Sequence, residues 1–77
     1  MDIRINFNKI EELRKQKKLS MHQVSKLLGY ADRASYFYKV VERTTKLSSM
    51  DFLKLAVILE VSILDLVEGD DKNVINK

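Results

Sequence analysis

The chain of 77 residues has no cysteine and no proline, and it contains only one histidine and two glycines. Without cysteine, neither a disulfide framework nor a thiolate metal site can form, and one histidine is too few for a zinc or two-metal centre. We therefore expect no metal and no cofactor. Stability has to come from packing alone.

Long hydrophobic runs are also missing, since none approaches the ~20 residues of a membrane-spanning helix. Residues 1–10 mix charged and apolar side chains, unlike a secretory signal, so we expect a cytoplasmic protein. This length suits one domain over residues 1–77, with a core over about 8–68 and a polar tail over 70–77. It leaves little volume for a catalytic pocket, and we do not expect an enzyme.

Charge is distributed unevenly along the chain. Residues 1–46 hold 11 Lys and Arg against five Asp and Glu, whereas residues 47–77 hold three against six. A basic half is expected when one face meets nucleic acid. The alternative is that basic runs such as residues 14–18 are only the solvated face of a helix.

Apolar residues recur at helical spacing in five segments, each preceded by a capping residue. With short connections and no proline, this pattern predicts an all-α fold. Before the helices, Ile3, Ile5 and Phe7 alternate with polar residues and predict a short strand or an extended arm. The predicted helices follow the caps Asn8 (with Glu11), Ser20, Asp32, Ser48 (with Asp51) and Ser62 (with Asp65), and span about 8–18, 20–28, 33–43, 49–60 and 63–68, with Gly29 and Gly69 as stops.

The third predicted helix has two different faces on a helical wheel of 100° per residue. The inner face is apolar and consists of Ala34, Phe37 and Val41. The outer face is polar, aromatic and basic, and consists of Asp32, Ser35, Tyr36, Lys39 and Arg43.

Two short helices joined by a turn with a glycine match the helix-turn-helix arrangement, whose second helix enters the major groove of DNA. Three stretches carry a more specific resemblance, namely LRKQKKLS (13–20), KLLGY (26–30) and LKLAVILEVS followed by ILDLV (53–67). In order and spacing they resemble the Cro/repressor-type, XRE-like helix-turn-helix family of bacterial and phage regulators. The match covers about residues 8–68.

The resemblance implies a compact five-helix, lambda-repressor-like DNA-binding domain. Helix 2 would lie across the DNA backbone, the third helix would read bases, and an ion pair would join Arg14 to Glu42. Three features depart from the family's pattern. The distance from Gly29 to Glu42 is about three residues longer, Met21 stands where a glutamine is usual, and Thr44 stands where a glycine is usual.

We expect base contacts from the third helix and backbone contacts from residues of the second helix, the end of the third helix and the loop after it, because guanidinium, ammonium and hydroxyl groups suit base edges and phosphates. The alternative is that these side chains are ordinary solvent-exposed residues. The base contacts are Arg33, Ser35, Tyr36 and Lys39, and the backbone contacts are Gln23, Arg43, Thr44 and Lys46.

The sequence also predicts an apolar surface larger than a small monomer usually exposes. It would join two copies of the chain into a homodimer, with the recognition helices about one DNA turn (~34 Å) apart. The alternative is a larger local core covered by the N-terminal arm. The residues of this predicted surface are Ile3, Ile5, Phe52, Val57, Ile58 and Leu64.

Taken together, these observations predict a sequence-specific double-stranded DNA-binding transcriptional regulator, and more specifically a repressor. The alternative from another class is a helix-turn-helix scaffold that acts mainly by binding protein, as an antitoxin or inhibitor does. Single-stranded nucleic acid stacked on Tyr36 and Tyr38 is a further alternative.

Overall fold

A computed structural model describes residues 3–69, and over that range the chain is mostly helical with one two-stranded sheet. The mostly helical character is as predicted, but the predicted five-helix, all-α architecture is not matched exactly, because two strands pair and the third helical segment ends in a π-helical turn. The predicted tail over 70–77 lies outside the described residues. No helix within residues 3–69 is both long and apolar enough to cross a membrane. The elements are β1 (Ile3–Ile5), α1 (Phe7–Gln16), α2 (Met21–Leu28), α3 (Arg33–Tyr36), a π-helical turn (Phe37–Val41), α4 (Ser49–Leu59), a 3₁₀ helix (Ile63–Leu66) and β2 (Val67–Gly69).

The predicted arm is a strand, β1, which pairs antiparallel with β2 so that Ile3, Arg4 and Ile5 face Gly69, Glu68 and Val67. This pairing corrects the predicted fifth helix, which ends at Leu66 instead of continuing to residue 68. The backbone groups of β2 form hydrogen bonds to β1 rather than within a helix. The Asn6 amide adds one more backbone hydrogen bond beside the strands by donating to the Leu66 carbonyl (2.8 Å).

The first helix begins two residues earlier than predicted. Its cap is Asn6, whose side-chain oxygen accepts a hydrogen bond from the Lys9 amide (3.0 Å), and not Asn8. The earlier start places Phe7 in the first turn, where its ring packs against the core. The guanidinium of Arg43 lies 4.7 Å from the centre of that ring.

Local hydrogen bonds define α2 and the turn that follows it. Ser20 and Gln23 form a reciprocal capping box, with the Ser20 amide donating to the Gln23 side chain (2.7 Å) and the Gln23 amide donating to the Ser20 hydroxyl (3.0 Å). Gly29 ends the helix at φ +100°, in the left-handed region that only glycine enters without strain. Asp32 then caps α3 by accepting from the Ser35 amide (3.1 Å).

The core lies where α1, α2, α4 and the α3–π segment meet. Residues 33–41, comprising α3 and the π-helical turn, are called helix 3 from here on. The buried apolar residues are Ile10, Val24, Leu28, Tyr36, Val40, Leu47, Leu55, Ala56, Leu59 and Leu66.

Helix 3 faces the core with other residues than predicted. Tyr36 and Val40 are buried, whereas Ala34 and Val41 are exposed and Phe37 is half-buried. Tyr36 and Val40 are four residues apart, which is the ordinary same-face spacing of a helix, so helix 3 is turned by about one residue relative to the predicted wheel. The Glu42 amide donates to the Phe37 carbonyl five residues back (2.9 Å), and this wider turn displaces the residues that follow it.

Helix α4 begins as predicted, with the Ser48 hydroxyl accepting from the Asp51 amide (3.1 Å). The Asp51 carboxylate does not remain at the cap, however, because it accepts a hydrogen bond from the Tyr30 hydroxyl (2.6 Å). The helix is apolar on two sides. One side is buried in the core and the other exposes Met50, Leu53 and Val57.

Candidate nucleic-acid interface

Helix α2 and helix 3 are held together at Ser25, which is completely buried. Its hydroxyl oxygen accepts a hydrogen bond from the Tyr36 amide (3.0 Å) and lies 3.5 Å from the Arg33 carbonyl oxygen. A larger side chain would force the two helices apart. The four residues 29–32 and this contact therefore fix the angle at which helix 3 leaves α2.

A second network joins helix 3 to α1 and corrects the ion pair that the family resemblance implied. Arg14 is buried as expected, but its partner is Glu11, with Nε–Oε2 at 2.7 Å and Nη2–Oε1 at 3.0 Å. Glu42 is exposed. The geometry of α1 explains why Arg14 pairs with Glu11, because residues three apart on a helix are neighbours. Glu42, in contrast, comes directly after the wider π-helical turn at the end of helix 3.

Tyr36 belongs to this network and not to the outer surface. Its hydroxyl donates to Glu11 Oε2 (2.6 Å), and the Arg14 guanidinium lies 5.9 Å from its ring centre. Burial raises the pKa of the Tyr36 hydroxyl well above its usual value. The hydrogen bond from Arg14 lowers the pKa of Glu11, so the carboxylate stays ionised. The predictions that Tyr36 contacts bases or stacks on nucleic acid are therefore wrong, since its ring is in the core.

Lys39 is also turned inward, although it was predicted to contact bases. Its side chain is only 13% exposed, its ammonium donates to the Lys46 carbonyl (3.2 Å), and it lies 3.9 Å from Asp51 Oδ2. The same ammonium is 5.2 Å from the ring centre of Tyr30. In this position Lys39 joins helix 3 to the start of α4 and is withdrawn from the outer face.

The other two predicted base contacts lie at the start of helix 3. Arg33 is exposed, with its guanidinium 5.8 Å from the ring centre of Phe37. Ser35 is half-buried, and its hydroxyl donates to the carboxylate of Asp32 (3.3 Å). Of the four predicted base contacts, Arg33 is the one whose polar group faces solvent without a hydrogen bond within the described residues.

The four predicted backbone contacts are all exposed. Gln23 uses its side-chain oxygen in the α2 capping box, and Arg43 reaches back toward Asn8 Oδ1 (3.4 Å). Thr44, which stands where a glycine was expected from the resemblance, follows directly after Arg43, whose φ of +62° makes the turn after helix 3. The Lys46 side chain extends from the same loop.

The exposed surface of helix 3 includes Ala34, which was predicted to face inward, and Tyr38, which was considered only for stacking on single-stranded nucleic acid. Tyr38 is 47% exposed. Both line a groove of about 370 Å³, together with Tyr30, Asp32, Ser35, Lys39 and Thr45. The Tyr38 ring packs edge-on against Phe37 with centroids 5.6 Å apart. One feature of the sequence indicated the difference. The spacing between Gly29 and Glu42 is about three residues longer than is usual in the family, so the faces of the third helix could not be assigned from a regular helical wheel.

The predicted dimer surface is divided in the structure. Ile5, Phe52 and Ile58 pack against the core, Ile3 is half-buried in β1, and Leu64 is 38% exposed on the 3₁₀ helix. Val57 is 77% exposed and shares an apolar groove of about 380 Å³ with Ile58. The groove lies between α2 and α4, and its other lining residues are Leu27, Met50, Leu53 and Lys54.

Comparison with known protein families, curated proteins and solved structures finds no match to this chain.

Proposed function

We propose that the chain is a sequence-specific double-stranded DNA-binding transcriptional regulator that acts as a repressor. In this proposal it is a lambda-repressor-like domain in which α2 and helix 3 are the helix-turn-helix. The supporting observation is the unit itself: α2 capped at both ends, a four-residue turn with Gly29 at positive φ, and helix 3 held at the buried Ser25. In helix-turn-helix proteins the N-terminal residues of the second helix meet base edges, which is the position of Arg33.

The charge around helix 3 favours DNA as the partner. Arg33 lies at its start, and Arg43 and Lys46 follow its end, all three exposed. Two carboxylates, Asp32 and Glu42, are also exposed there, but that of Asp32 is directed to the start of helix 3, where it accepts from Ser35. We assign Arg33 to base contact, and Arg43, Lys46, Thr44 and Gln23 to phosphate contact.

Salt titration on a random-sequence duplex tests the proposal, because binding through phosphates releases counterions and weakens steeply as salt rises. Arg33→Ala is expected to weaken binding to a selected site by about 1 to 3 kcal/mol and random DNA much less. Lys46→Ala is expected to weaken both equally and to reduce the salt slope. Lys15→Ala on α1 removes the same charge from another exposed place and serves as the control.

Two results would count against DNA binding. One is the absence of any duplex binding at 50 mM salt, a concentration at which phosphate contacts are strong. The other is an equal effect of Lys15→Ala and Lys46→Ala, which would indicate unspecific attraction to a basic protein instead of a defined interface.

We also propose that two copies of the chain associate through the groove between α2 and α4. Leu27, Met50, Leu53 and Val57 are 59, 60, 46 and 77% exposed, which leaves on the order of 400 Å² of apolar surface. A stable interface takes about 800 Å² from each copy, so this patch with its polar rim gives a weak dimer. In such a dimer the Lys54 side chains of the two copies would bring like charges together. The Lys54 ammonium, however, donates a hydrogen bond to the Leu28 carbonyl at the end of α2 (3.4 Å).

Light scattering over a range of concentrations tests the dimer. Val57→Glu is expected to shift the protein to monomer, because the charge would be buried without a partner. Ile63→Glu is the control, since Ile63 is 43% exposed on the 3₁₀ helix, away from the groove. A monomer at high micromolar concentration in the unchanged protein would exclude the dimer.

The second candidate function, a scaffold that binds another protein, is favoured by the same exposed apolar groove. It differs from the first in one measurable respect. A scaffold of this kind would show no salt-dependent duplex binding, and Arg33→Ala and Lys46→Ala would leave its activity unchanged.

A further inference from the structure

The exposed face of helix 3 has little hydrogen-bonding capacity. Tyr36 is buried, the Lys39 ammonium is engaged with Asp51 and the Lys46 carbonyl, and the Ser35 hydroxyl is engaged with Asp32. The side chains of helix 3 that remain exposed are Arg33, Ala34, Tyr38 with its hydroxyl, and Val41, so carbon surface predominates beside Arg33.

Ala34 and Tyr38 are one helical turn apart and line the same groove. Thr45, from the loop after helix 3, lines it too. The Tyr38 ring is supported from the side by Phe37, whose ring centre is 5.6 Å away, and Phe37 is in turn close to the Arg33 guanidinium. The other residues that line the groove are Tyr30, Asp32, Ser35 and Lys39, so Ala34 and Tyr38 form an apolar strip within a groove that also carries polar groups. In the proposed function this strip lies on the part of helix 3 that would face DNA.

In the major groove, thymine is the one base that presents a methyl group, and apolar side chains are the residues that contact it. We propose that helix 3 selects thymine-containing half-sites by contact of Ala34 and Tyr38 with thymine methyl groups, with Arg33 as the hydrogen-bonding reader beside them. This inference rests on the proposed DNA-binding function. The exposed cations Arg33, Arg43 and Lys46 favour a duplex over an apolar protein partner on this face.

The experiment uses one duplex in two forms. A bound site is first selected from a random duplex pool and then synthesised with either thymidine or deoxyuridine, which pairs identically but lacks the methyl group. We expect deoxyuridine to weaken binding about fourfold for each contacted methyl, the value of one buried methylene. Deoxyuridine placed only outside the half-sites is the DNA control and should have no effect.

Variants of Tyr38 assign the contact. Tyr38→Ala should abolish the difference between the two duplexes at one thymine, whereas Tyr38→Phe keeps the ring and should keep the difference. Ile63→Ala removes an exposed apolar side chain of the 3₁₀ helix, away from both grooves, and should also keep it. Loss of the thymine preference in Tyr38→Phe would contradict the apolar contact.

The outcomes separate the two proposals. Salt-dependent, sequence-selective binding with equal affinity for the thymidine and deoxyuridine duplexes would overturn the methyl contact and leave the regulator standing. Absence of binding to either duplex at 50 mM salt would overturn both.

Discussion

At the scale of single residues, Tyr36 differs most from its predicted position, because it lies in the core and not on the outer face of helix 3. It is fully buried, its amide donates to Ser25 and its hydroxyl donates to Glu11. It therefore joins helix 3 to both α1 and α2. A buried hydroxyl of this kind has to be paired, and here a carboxylate accepts its hydrogen bond.

Tyr36→Phe tests the value of that bond. We expect a loss of about 1.5 to 3 kcal/mol in the free energy of unfolding, the range for hydrogen bonds to charged groups, measured by urea denaturation. Tyr38→Phe removes the same hydroxyl from a half-exposed ring and should cost less than about 0.5 kcal/mol. Equal losses in the two variants would show that the Glu11 contact adds nothing.

Glu11 gives the protein a pH dependence at acid pH. The hydrogen bond from Arg14 holds its pKa below the ordinary value, so the unfolded chain binds a proton more readily than the folded one. The stability it contributes is therefore complete above its unfolded pKa and is lost as the pH falls through the folded value. Comparing the unchanged protein with Glu11→Gln, we expect the stability difference to be largest near pH 7 and to shrink below about pH 5.

Chemical denaturation at a series of pH values measures this difference. Glu12→Gln alters an exposed carboxylate on the same helix and should change the unfolding free energy by less than about 0.5 kcal/mol at every pH. A Glu11→Gln difference that stays constant from pH 7 to 3 would contradict the assigned cause.

At the scale of elements, three helical segments are followed by a residue other than glycine with positive φ. These are Lys18 (φ +58°) after α1, Arg43 (φ +62°) after helix 3 and Glu60 (φ +58°) after α4. L-residues adopt this conformation at a cost of roughly 1 to 2 kcal/mol. Arg43 and Glu60 have partners there, namely Phe7 and Lys17.

Lys18→Gly is expected to stabilise the protein by about 0.5 to 1 kcal/mol, because glycine fits the left-handed turn better than lysine. The matched control is Lys15→Gly, inside α1, which should destabilise by about 1 kcal/mol. Thermal unfolding of both variants measures the two changes. The same sign of change in both would contradict the assigned role of the turn.

Helix 3 presents a different face from the predicted one. Tyr36 and Val40, four residues apart, reach the core, while Ala34 and Tyr38, also four apart, remain outside. The helix is therefore turned by about one residue relative to the predicted wheel. The π-helical turn acts later, where the Glu42 amide donates to the Phe37 carbonyl and the residues that follow are displaced.

At the scale of the whole molecule, β1 and β2 close the fold by joining residues more than 60 positions apart. Their pairing holds Ile5 against the core, next to the buried Leu66. The ion pair between Arg4 and Glu68 (3.5 Å) is exposed and contributes little by itself. Backbone pairing and the burial of Ile5 are therefore what the sheet adds to stability.

Deletion of residues 1–5 tests this closure. We expect a loss of about 1 to 2 kcal/mol, roughly the value of one partly buried isoleucine, with the helical circular dichroism retained. Hydrogen exchange should show lost protection in β2, whose backbone pairs with β1. Glu68→Gln keeps both strands and should be nearly neutral. A similar loss in this control would assign the effect to charge instead.

The sequence by itself determined the helices and most of their ends. Four capping residues each accept a hydrogen bond from an amide two or three residues away, namely Ser20, Asp32, Ser48 and Ser62. Gly29 ends α2 by its positive φ. Such signals are local, so reading along the chain is sufficient to find them.

Only the tertiary structure decided which side chains meet. Tyr36 is in the core, Lys39 points toward Asp51, and β2 forms because β1 pairs with it. Each of these depends on a rotation of about one residue in helix 3 or on a partner far away in the chain. Burial and pairing energies, which no local pattern contains, selected among the alternatives that the sequence allowed.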